Sequence, residues 1–311
     1  MTVYENKRFD EERALYGSCG VELNNCRFDG PADGESALKE SREIRVKDCF
    51  FNLRYPFWHD SDLRITGSEL TPLCRAALWY SENVRIKNTK LHGIKALREC
   101  ADVAMSGCEI VSPEFGWSVR GIEMNDCSAE SEYFMLRSER LRFDRVKLKG
   151  KYSFQYITDS VFTNCKFDTK DAFWHAKNVL VKDSVIKGEY LAWYCENVRF
   201  ENCTIIGTQP LCYCKGLRLV NCRMTDTDLA FEKSEVEATL TAPILSIKIR
   251  APAAFKCRER ARSSWTTRRQ RGRCFFAKPG PANKKRRRKK CSMTFLMKDY
   301  IRKQYQRVVP V

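Results

Sequence analysis

The residues of this sequence that could do chemistry are its cysteines, its histidines and a few carboxylates. The chain has sixteen cysteines but only three histidines, His59, His92 and His175. Thiolates and imidazoles bind zinc when two matching pairs converge. Clustered carboxylates could hold calcium, or could act as acid and base in cleaving a glycosidic bond. Each of these chemistries needs several side chains at one place, so it depends on the elements that position them.

The cysteines follow a repeat in the sequence. The stretch Val198 to Ile205 reads Val-Arg-Phe-Glu-Asn-Cys-Thr-Ile, and similar stretches begin at Val84, Val179 and Leu217. These four share apolar residues at the first, third and eighth places, Asn or Asp at the fifth, and Cys, Ser or Thr at the sixth. With the first apolar residue as position 0, the copies begin at Val21, Ile44, Leu63, Val84, Val103, Ile122, Leu141, Ser160, Val179, Val198 and Leu217. Most steps are 19 residues, with fainter copies at Thr2 and Val236.

This period predicts an all-β fold, a β-solenoid of about 11 to 13 turns of 19 residues with three short strands per turn. Apolar and polar residues alternate within each copy, which is the period of a strand and not of a helix. Asn or Asp at position +4 tolerates the left-handed backbone of a corner. Gly at +9, as in Gly188 and Gly207, supplies a second corner.

Position +5 holds seven of the sixteen cysteines. Ser68, Thr89 and Ser184 occupy the same position in other turns, which favours a small side chain filling an inner corner over a metal or redox site. His59 and His175 lie six turns apart, too far to share a metal ion within one chain. The sequence therefore predicts no metal and no cofactor. The cysteines at +5 are Cys26, Cys49, Cys108, Cys127, Cys165, Cys203 and Cys222.

The third predicted strand carries more aromatic residues than a narrow coil needs. Five of the six tryptophans fall at position −5, and position −4 is rich in Tyr and His. Position −6 is also apolar, and neighbouring side chains on a strand point to opposite sides, so both cannot be buried. Either one side exposes an aromatic stripe or something covers it. The candidate binding residues are Trp58, His59, Trp79, Tyr80, Trp174, His175, Trp193, Tyr194 and Tyr213.

The aromatic column has three interpretations. Sugars stack on exposed indole and phenol rings, so it could be a carbohydrate platform. It could instead dock a protein partner or a second copy of the chain, because exposed apolar patches usually mark interfaces. The third is that the tryptophans fill a wide corner of the core and form an aromatic ladder that adds stability.

The charge divides the chain into two parts. The net charge is +17, but residues from 248 onward hold 22 Lys and Arg against 2 Asp and Glu, leaving 34 against 37 before them. Residues 1–247 are predicted to be the β-helix domain, and 248–311 a basic, largely disordered tail. The tail could bind nucleic acid through its charge alone. Its abrupt loss of the repeat also fits an out-of-frame reading of the closing segment.

The beginning of the sequence has no apolar signal region, and no stretch is long and apolar enough to cross a membrane. We therefore expect a cytoplasmic protein with reduced thiols and no membrane partner.

Residues 1 to about 247 resemble bacterial proteins of domain-of-unknown-function family 3737, right-handed parallel β-helices of the pectin-lyase-like class. The resemblance rests on Tyr4-Glu-Asn-Lys-Arg-Phe-Asp-Glu-Glu-Arg-Ala-Leu-Tyr16, on Asp33-Gly-Glu-Ser-Ala-Leu-Lys-Glu-Ser41, and on Pro56-Phe-Trp-His59 echoed by Ala172-Phe-Trp-His175. It implies a right-handed parallel β-helix but no established activity.

The sequence as a whole favours a binding or scaffolding protein that acts through an aromatic face and is not an enzyme. The alternative is a carbohydrate-active enzyme, a glycan lyase or hydrolase, that uses carboxylates beside that face. The nearest candidates are Asp60, Asp62, Asp171, Glu189 and Glu196, although they are spread over different turns.

Overall fold

The protein is a parallel β-solenoid of about twelve turns. The computed structural model describes residues 1–29 and 35–248 in full, and the backbone of the strands Ala253–Cys257, Thr267–Gln270 and Arg273–Phe276. The described residues form strands and turns without a helix, and none of their elements is a helix long and apolar enough to span a membrane.

The first face of the solenoid consists mostly of six-residue strands. Each pairs in parallel with the strands one turn before and after, so that Val179 lies between Ser160 and Val198. Residues at positions 0 and +2 point inward, and those at +1 and +3 point outward. The first-face strands are Thr2–Glu5, Cys19–Asn24, Arg42–Lys47, Ser61–Thr66, Glu82–Lys87, Ala101–Ser106, Arg120–Asn125, Glu139–Asp144, Thr158–Thr163, Lys177–Lys182, Glu196–Glu201, Leu217–Thr225, Val236–Leu240 and Ala253–Cys257.

The second face follows the corner at +4, where residues such as Asn202 have a left-handed backbone, with φ near 52°. Asn and Asp adopt this conformation more readily than most residues, and the corner lies at +4 as predicted. The second-face strands are Arg8–Phe9, Arg27–Phe28, Phe50–Phe51, Glu69–Leu70, Lys90–Leu91, Glu109–Val111, Ser128–Phe134, Lys147–Ser153, Lys166–Thr169, Val185–Lys187 and Thr204–Ile206.

The third side spans positions −8 to −4. Its backbone also bonds from turn to turn, for example from Tyr156 N to Trp174 O at 2.8 Å and from His175 N to Trp193 O at 2.9 Å. Left-handed residues at both ends, such as Tyr190 and Tyr194, keep this segment short. The described third-side segments that form regular strands are Leu78–Trp79, Leu97–Arg98 and Glu114–Phe115.

The predicted phase of the repeat is confirmed by the strand register. Val84 pairs with Val103, and Val103 with Ile122. The fainter copies at the two ends are in register as well, because Thr2 pairs with Val21 and Leu217 with Val236. The glycines at +9 have a steric role, since a Cβ on Gly188 would lie 2.0 Å from the carbonyl oxygen of Thr169 in the preceding turn.

Phenylalanine fills much of the interior. Phe9, Phe28 and Phe51 stack turn on turn with ring centroids 4.7 and 4.6 Å apart. Phe154 lies at the centre of a second cluster and is completely buried. Its ring partners are Phe134, Phe143, Phe162, Phe167 and Phe173.

The parallel stack continues past the predicted domain boundary at residue 247. Val236 pairs with Ala253, so the strand Ala253–Cys257 extends the first face. Thr267–Gln270 and Arg273–Phe276 form an antiparallel pair. Most of residues 249–311 lie outside the described residues, so the boundary, the disorder of the tail and its out-of-frame origin stay predictions.

Candidate functional site: the aromatic face

The third side presents two adjacent columns of side chains to the outside, which we name the aromatic face and define as positions −5 and −4 of each turn. In one turn Phe173 and Ala176 are completely buried, whereas Trp174 and His175 between them are partly exposed. The reason is the left-handed backbone of His175, with φ of 57°. It interrupts the alternation of a strand, so two consecutive side chains point outward.

The tryptophans stack in pairs along the solenoid. Trp58 and Trp79 have ring centroids 5.1 Å apart with planes 2° from parallel, and Trp174 and Trp193 are 5.4 Å apart at 3°. Each of these four rings is half-buried. They lie outside the phenylalanine interior, so they do not fill a corner of the core.

The indole N–H groups attach the rings to the next turn. Trp79 Nε1 donates to Lys95 O at 2.8 Å, and Trp193 Nε1 donates to Gln209 O at 2.7 Å. Trp58 and Trp174 donate in the same manner to Ala76 O and Tyr190 O. The tryptophans thereby hold the corner that begins the third side.

Replacing Trp193 by Phe is expected to lower the free energy of unfolding by about 1 kcal/mol, because the carbonyl of Gln209 loses its indole donor. Urea unfolding followed by circular dichroism measures this. Trp117→Phe is the matched control, since Trp117 Nε1 is buried without a hydrogen-bond partner among the described residues. Equal losses in the two variants would show that the indole hydrogen bond contributes nothing.

The neighbouring column, at −4, stacks tyrosine and histidine. His59 and Tyr80 have centroids 4.8 Å apart. Further along, Tyr156, His175, Tyr194 and Tyr213 form one continuous stack with spacings of 4.7, 5.1 and 4.8 Å. Tyr80, Tyr156 and Tyr194 are 41%, 46% and 45% exposed.

Cationic side chains cover the ends of these stacks. The Arg98 guanidinium lies between the rings of Trp79 and Trp117, at 4.9 and 5.5 Å from their centroids. Arg137 lies 5.8 Å over Tyr156 at one end of the four-ring stack, and Lys233 lies 5.5 Å over Tyr213 at the other. In the four-ring stack a ring or a cation covers each ring face, so solvent meets mainly the ring edges.

The nine predicted binding residues all point outward, and they form two groups. Trp58, His59, Trp79 and Tyr80 make the first group, and Trp174, His175, Trp193, Tyr194 and Tyr213 make the second. Between them the −4 column holds Glu99, Ser118, Arg137 and Tyr156. Their role in binding stays a prediction.

Burial also sets the charge of one ring in the four-ring stack. It lowers the pKa of His175, and the nearby Lys177 lowers it further. Both effects favour the neutral imidazole at neutral pH, which can donate one hydrogen bond and accept another.

The sequence reasoning did not single out Trp117 and Tyr156 as site residues, although both fall in the two columns. Arg98 and Arg137 were also missed, because a cation in an aromatic column looks like an interruption. The spacing of all four residues, at −5 or −4 of their turns, could have identified them in the sequence. The structure shows that these cations belong to the stacks.

The five candidate carboxylates do not converge on the aromatic face. Asp60 is 1% exposed and points into the interior, because position −3 returns to the inside after the left-handed residue at −4. Asp171 is 9% exposed, and burial raises its pKa. Glu189 pairs with Lys170 at 2.9 Å and Glu196 with Lys177 at 3.4 Å. Asp62 accepts a hydrogen bond from Asn83 on the first-face edge.

The cysteines at +5 are buried at the inner corner. Cys203 Sγ lies 3.2 Å from Glu201 O and 3.4 Å from Val181 O, so the thiol faces backbone carbonyls. Ser184 bonds in the same way to Lys182 O at 2.5 Å. Burial raises the pKa of Cys49 and of Cys165 to about 11. Within the described residues no three His, Cys, Asp or Glu side chains converge as metal ligands would.

Residues 2–261 match the family model described as "Protein of unknown function (DUF3737)". No protein with curated annotation matches the sequence. Solved structures to which the chain is similar at low identity include an adhesin, an epimerase module and a resistance protein.

PfbA, a surface adhesin of Streptococcus pneumoniae, has a TM-score of 0.37 at 8% identity over 83% of this chain and 76% of the adhesin. The A-module of the mannuronan C-5 epimerase AlgE4 of Azotobacter vinelandii has a TM-score of 0.32 at 10% identity over 83% and 87%. QnrB1, a plasmid-mediated fluoroquinolone resistance protein, has a TM-score of 0.27 at 11% identity over 58% and 81%. With TM-scores below 0.5, none of these similarities bears on function.

Proposed function

We propose that this chain, which belongs to the DUF3737 family, is a binding protein whose aromatic face holds an extended ligand along the axis of the solenoid. The observation that carries the proposal is the four-ring stack of Tyr156, His175, Tyr194 and Tyr213, which points outward over consecutive turns. Stacks of this length in the interior would only add stability. On the outside they form a regular row of polar ring edges.

The ring edges carry groups that can bond a ligand. The hydroxyls of Tyr156, Tyr194 and Tyr213 and the imidazole of His175 have no hydrogen-bond partner among the residues that the structure describes. A phenol can donate and accept, and so can a neutral imidazole. The row therefore offers both kinds of partner at the spacing of the turns, about 4.8 Å.

A linear glycan is the ligand class that this row suits best. Its hydroxyl groups donate and accept at each sugar, and its rings repeat at a length similar to the rise of one turn. Sugars that bind by stacking need free ring faces, but here neighbouring rings and Arg137 cover them. The binding we propose is accordingly edge-on and dominated by hydrogen bonds. Each contact is weak, and repetition along one chain supplies the affinity.

The geometry also limits the cost of binding. The stacked rings are held by their neighbours and by the backbone of successive turns, so little side-chain freedom is lost when a ligand binds. A carbohydrate-active enzyme has no comparable support, since Asp60 faces the interior and Glu189 and Glu196 are in ion pairs with lysines.

Removing three phenol hydroxyls is expected to weaken glycan binding without unfolding the protein. The variant is Tyr156→Phe, Tyr194→Phe and Tyr213→Phe together, which keeps the ring stack. Each lost hydrogen bond weakens binding by about 1 kcal/mol, so the dissociation constant should rise about 100-fold. Affinity electrophoresis in gels cast with linear glucans, mannans, xylans or polyuronates measures it.

Tyr152→Phe is the control, because Tyr152 stacks on Tyr133 outside the two columns. It should migrate as the unchanged protein does. A triple variant that binds as tightly as the unchanged protein would exclude the ring edges as the site. If no glycan retards the unchanged protein and the face instead mediates self-association in sedimentation, the ligand is a second copy of the chain and the glycan proposal fails.

A further inference from the structure

Three arginines stack directly on one another on the first face, away from the aromatic face. Arg45 pairs in register with Arg64, and Arg64 with Arg85, so they occupy the +1 column of three consecutive turns. All three are exposed. Glu22 precedes them in the column and Ala104 follows. Guanidinium groups one turn apart repel each other, because like charges directly opposite across a ladder are destabilising.

Two lysines extend this charge in the adjacent outward column. Lys47, Thr66 and Lys87 stack at +3 beside the arginines. Among the described residues, none of the five cations forms an ion pair. Arg85 donates instead to the backbone carbonyl of Asp102 at 2.7 Å. Five positive charges thus lie on one strip without an ion pair, and the carboxylates of Glu22, Glu43 and Asp62 lie beside Arg45 and Arg64.

Several exposed cations of the solenoid are instead paired with a carboxylate one turn away. Lys149 bonds Glu130 at 3.0 Å, and Lys187 bonds Asp168 at 3.0 Å. Arg145 reaches Asp126 at 2.6 Å. The arginine strip lacks such carboxylate partners in register, because the residues that pair with Arg64 in the turns before and after it are both arginines.

Two shallow cavities flank the strip. One of about 420 Å³ is lined by Arg45, Lys47, Arg64 and Thr66 together with Glu22, Asn24 and Val46. The other, of about 370 Å³, lies on the opposite side of Arg45 and Arg64 and is also lined by Met1, Gly20, Glu43 and Asp62. Whereas the second cavity has two cations and two carboxylates, the first combines three cations and the Thr66 hydroxyl with one carboxylate, that of Glu22, which accepts a hydrogen bond from Asn24 Nδ2 at 3.2 Å. It is the more favourable of the two for an anion.

We propose that this strip, Arg45, Arg64 and Arg85 with Lys47 and Lys87, is a binding site for a linear phosphate chain. Guanidinium groups match phosphate oxygens with two parallel hydrogen bonds. The three arginines span two turn steps, about 10 Å, so a single monoanion cannot neutralise them whereas a chain of phosphates can. The bound chain relieves the repulsion between the arginines, which makes its binding more favourable than at isolated cations.

Substituting the central arginine tests the site on the full chain. Arg64→Ala is expected to raise the dissociation constant of inorganic tripolyphosphate about tenfold or more, measured by titration calorimetry at low salt. Affinity should fall as salt is added. Arg142→Ala is the matched control, because Arg142 occupies the same column between Glu123 and Val161 and should change the constant less than about twofold.

A thermal measurement separates binding from stability. Tripolyphosphate should raise the melting temperature of the unchanged protein and of Arg142→Ala by similar amounts, and that of Arg64→Ala by less. Without phosphate, Arg64→Ala should melt no lower than the unchanged protein, because the substitution removes repulsion. ATP serves as a second ligand: tighter binding than tripolyphosphate would show that the phosphate chain is carried by a nucleotide, and equal binding that the inorganic chain suffices.

Three results would overturn the proposal. The first is an unchanged dissociation constant in Arg64→Ala, and the second is an equal loss in Arg142→Ala, which would indicate binding to general positive charge. The third is Arg64-dependent binding of an oligouronate in the absence of tripolyphosphate binding, which would make the ligand an acidic glycan.

Discussion

Asp60→Asn is expected to flatten the pH dependence of this protein's stability. The carboxyl of Asp60 accepts one hydrogen bond, from Ser41 N to Oδ1 at 3.0 Å, and its Oδ2 has no partner among the described residues. Burial raises its pKa to about 8. At neutral pH the folded protein therefore holds this carboxyl in its protonated form, whereas the unfolded chain does not.

The direction of the effect follows from the two pKa values. The folded value, about 8, lies above the unfolded value of about 3.9, so the stability contribution is fully present below pH 4 and is lost as pH rises towards 8. The unchanged protein should lose up to about 5 kcal/mol across this window through Asp60 alone. Asp60→Asn has no proton to lose, so its unfolding free energy should fall much less.

Urea unfolding at about pH 5 and about pH 8.5 measures the difference between the two proteins. Asp62→Asn is the neighbouring control, since it makes the same chemical change at an exposed position. An equal pH dependence in the unchanged protein and in Asp60→Asn would mean that Asp60 is ionised in the folded state, and the burial argument would be wrong.

Phe154→Ala is the second substitution with a large expected effect, a loss of about 3–5 kcal/mol in the free energy of unfolding. Phe154 is completely buried and its ring lies within 4.9 to 6.0 Å of five other phenylalanine rings. Truncation leaves a cavity where several turns of the solenoid meet. The rigid stacking of turns limits how far the surrounding backbone can collapse into it.

The same segment supplies the control. Tyr156 follows two residues later, points outward and is 46% exposed. Tyr156→Ala should cost only about 1 kcal/mol, mainly its stacking on His175. Phe154→Leu should fall between the two, because it restores part of the volume. A loss in Phe154→Ala no greater than that in Tyr156→Ala would contradict the placement of the core.

Much of the fold could be predicted because the same pattern of residues recurs in successive turns. Val179 and Val198 recur at the same place in their copies, and the structure pairs them across one turn. The sequence did not predict the backbone conformation of the residue at −4. Nothing in the type of Tyr194 or His175 suggests a left-handed backbone, yet both have it. That conformation turns the aromatic side chains outward and sends the next residue inward.

Asp60 shows the consequence for the site. Beside Trp58 and His59 in the sequence it resembles a carboxylate of an outer binding face, but the turn at His59 places it in the interior. In the same way, Arg98 interrupts the aromatic column in the sequence and completes the stack in three dimensions, between Trp79 and Trp117.

The sequence by itself determined the solenoid, its register and the corners at +4. These depend on short-range preferences that most of the copies repeat: strand alternation, Asn or Asp at a left-handed position, and a small residue at +5. Only the tertiary structure decided which side chains face outward on the third side and which charges lack a partner. Those properties depend on stacking between turns, where Arg64 meets two other arginines and Tyr194 meets His175 and Tyr213. Such contacts join residues about 19 positions apart, and their geometry follows from the backbone conformation at one corner and not from residue type.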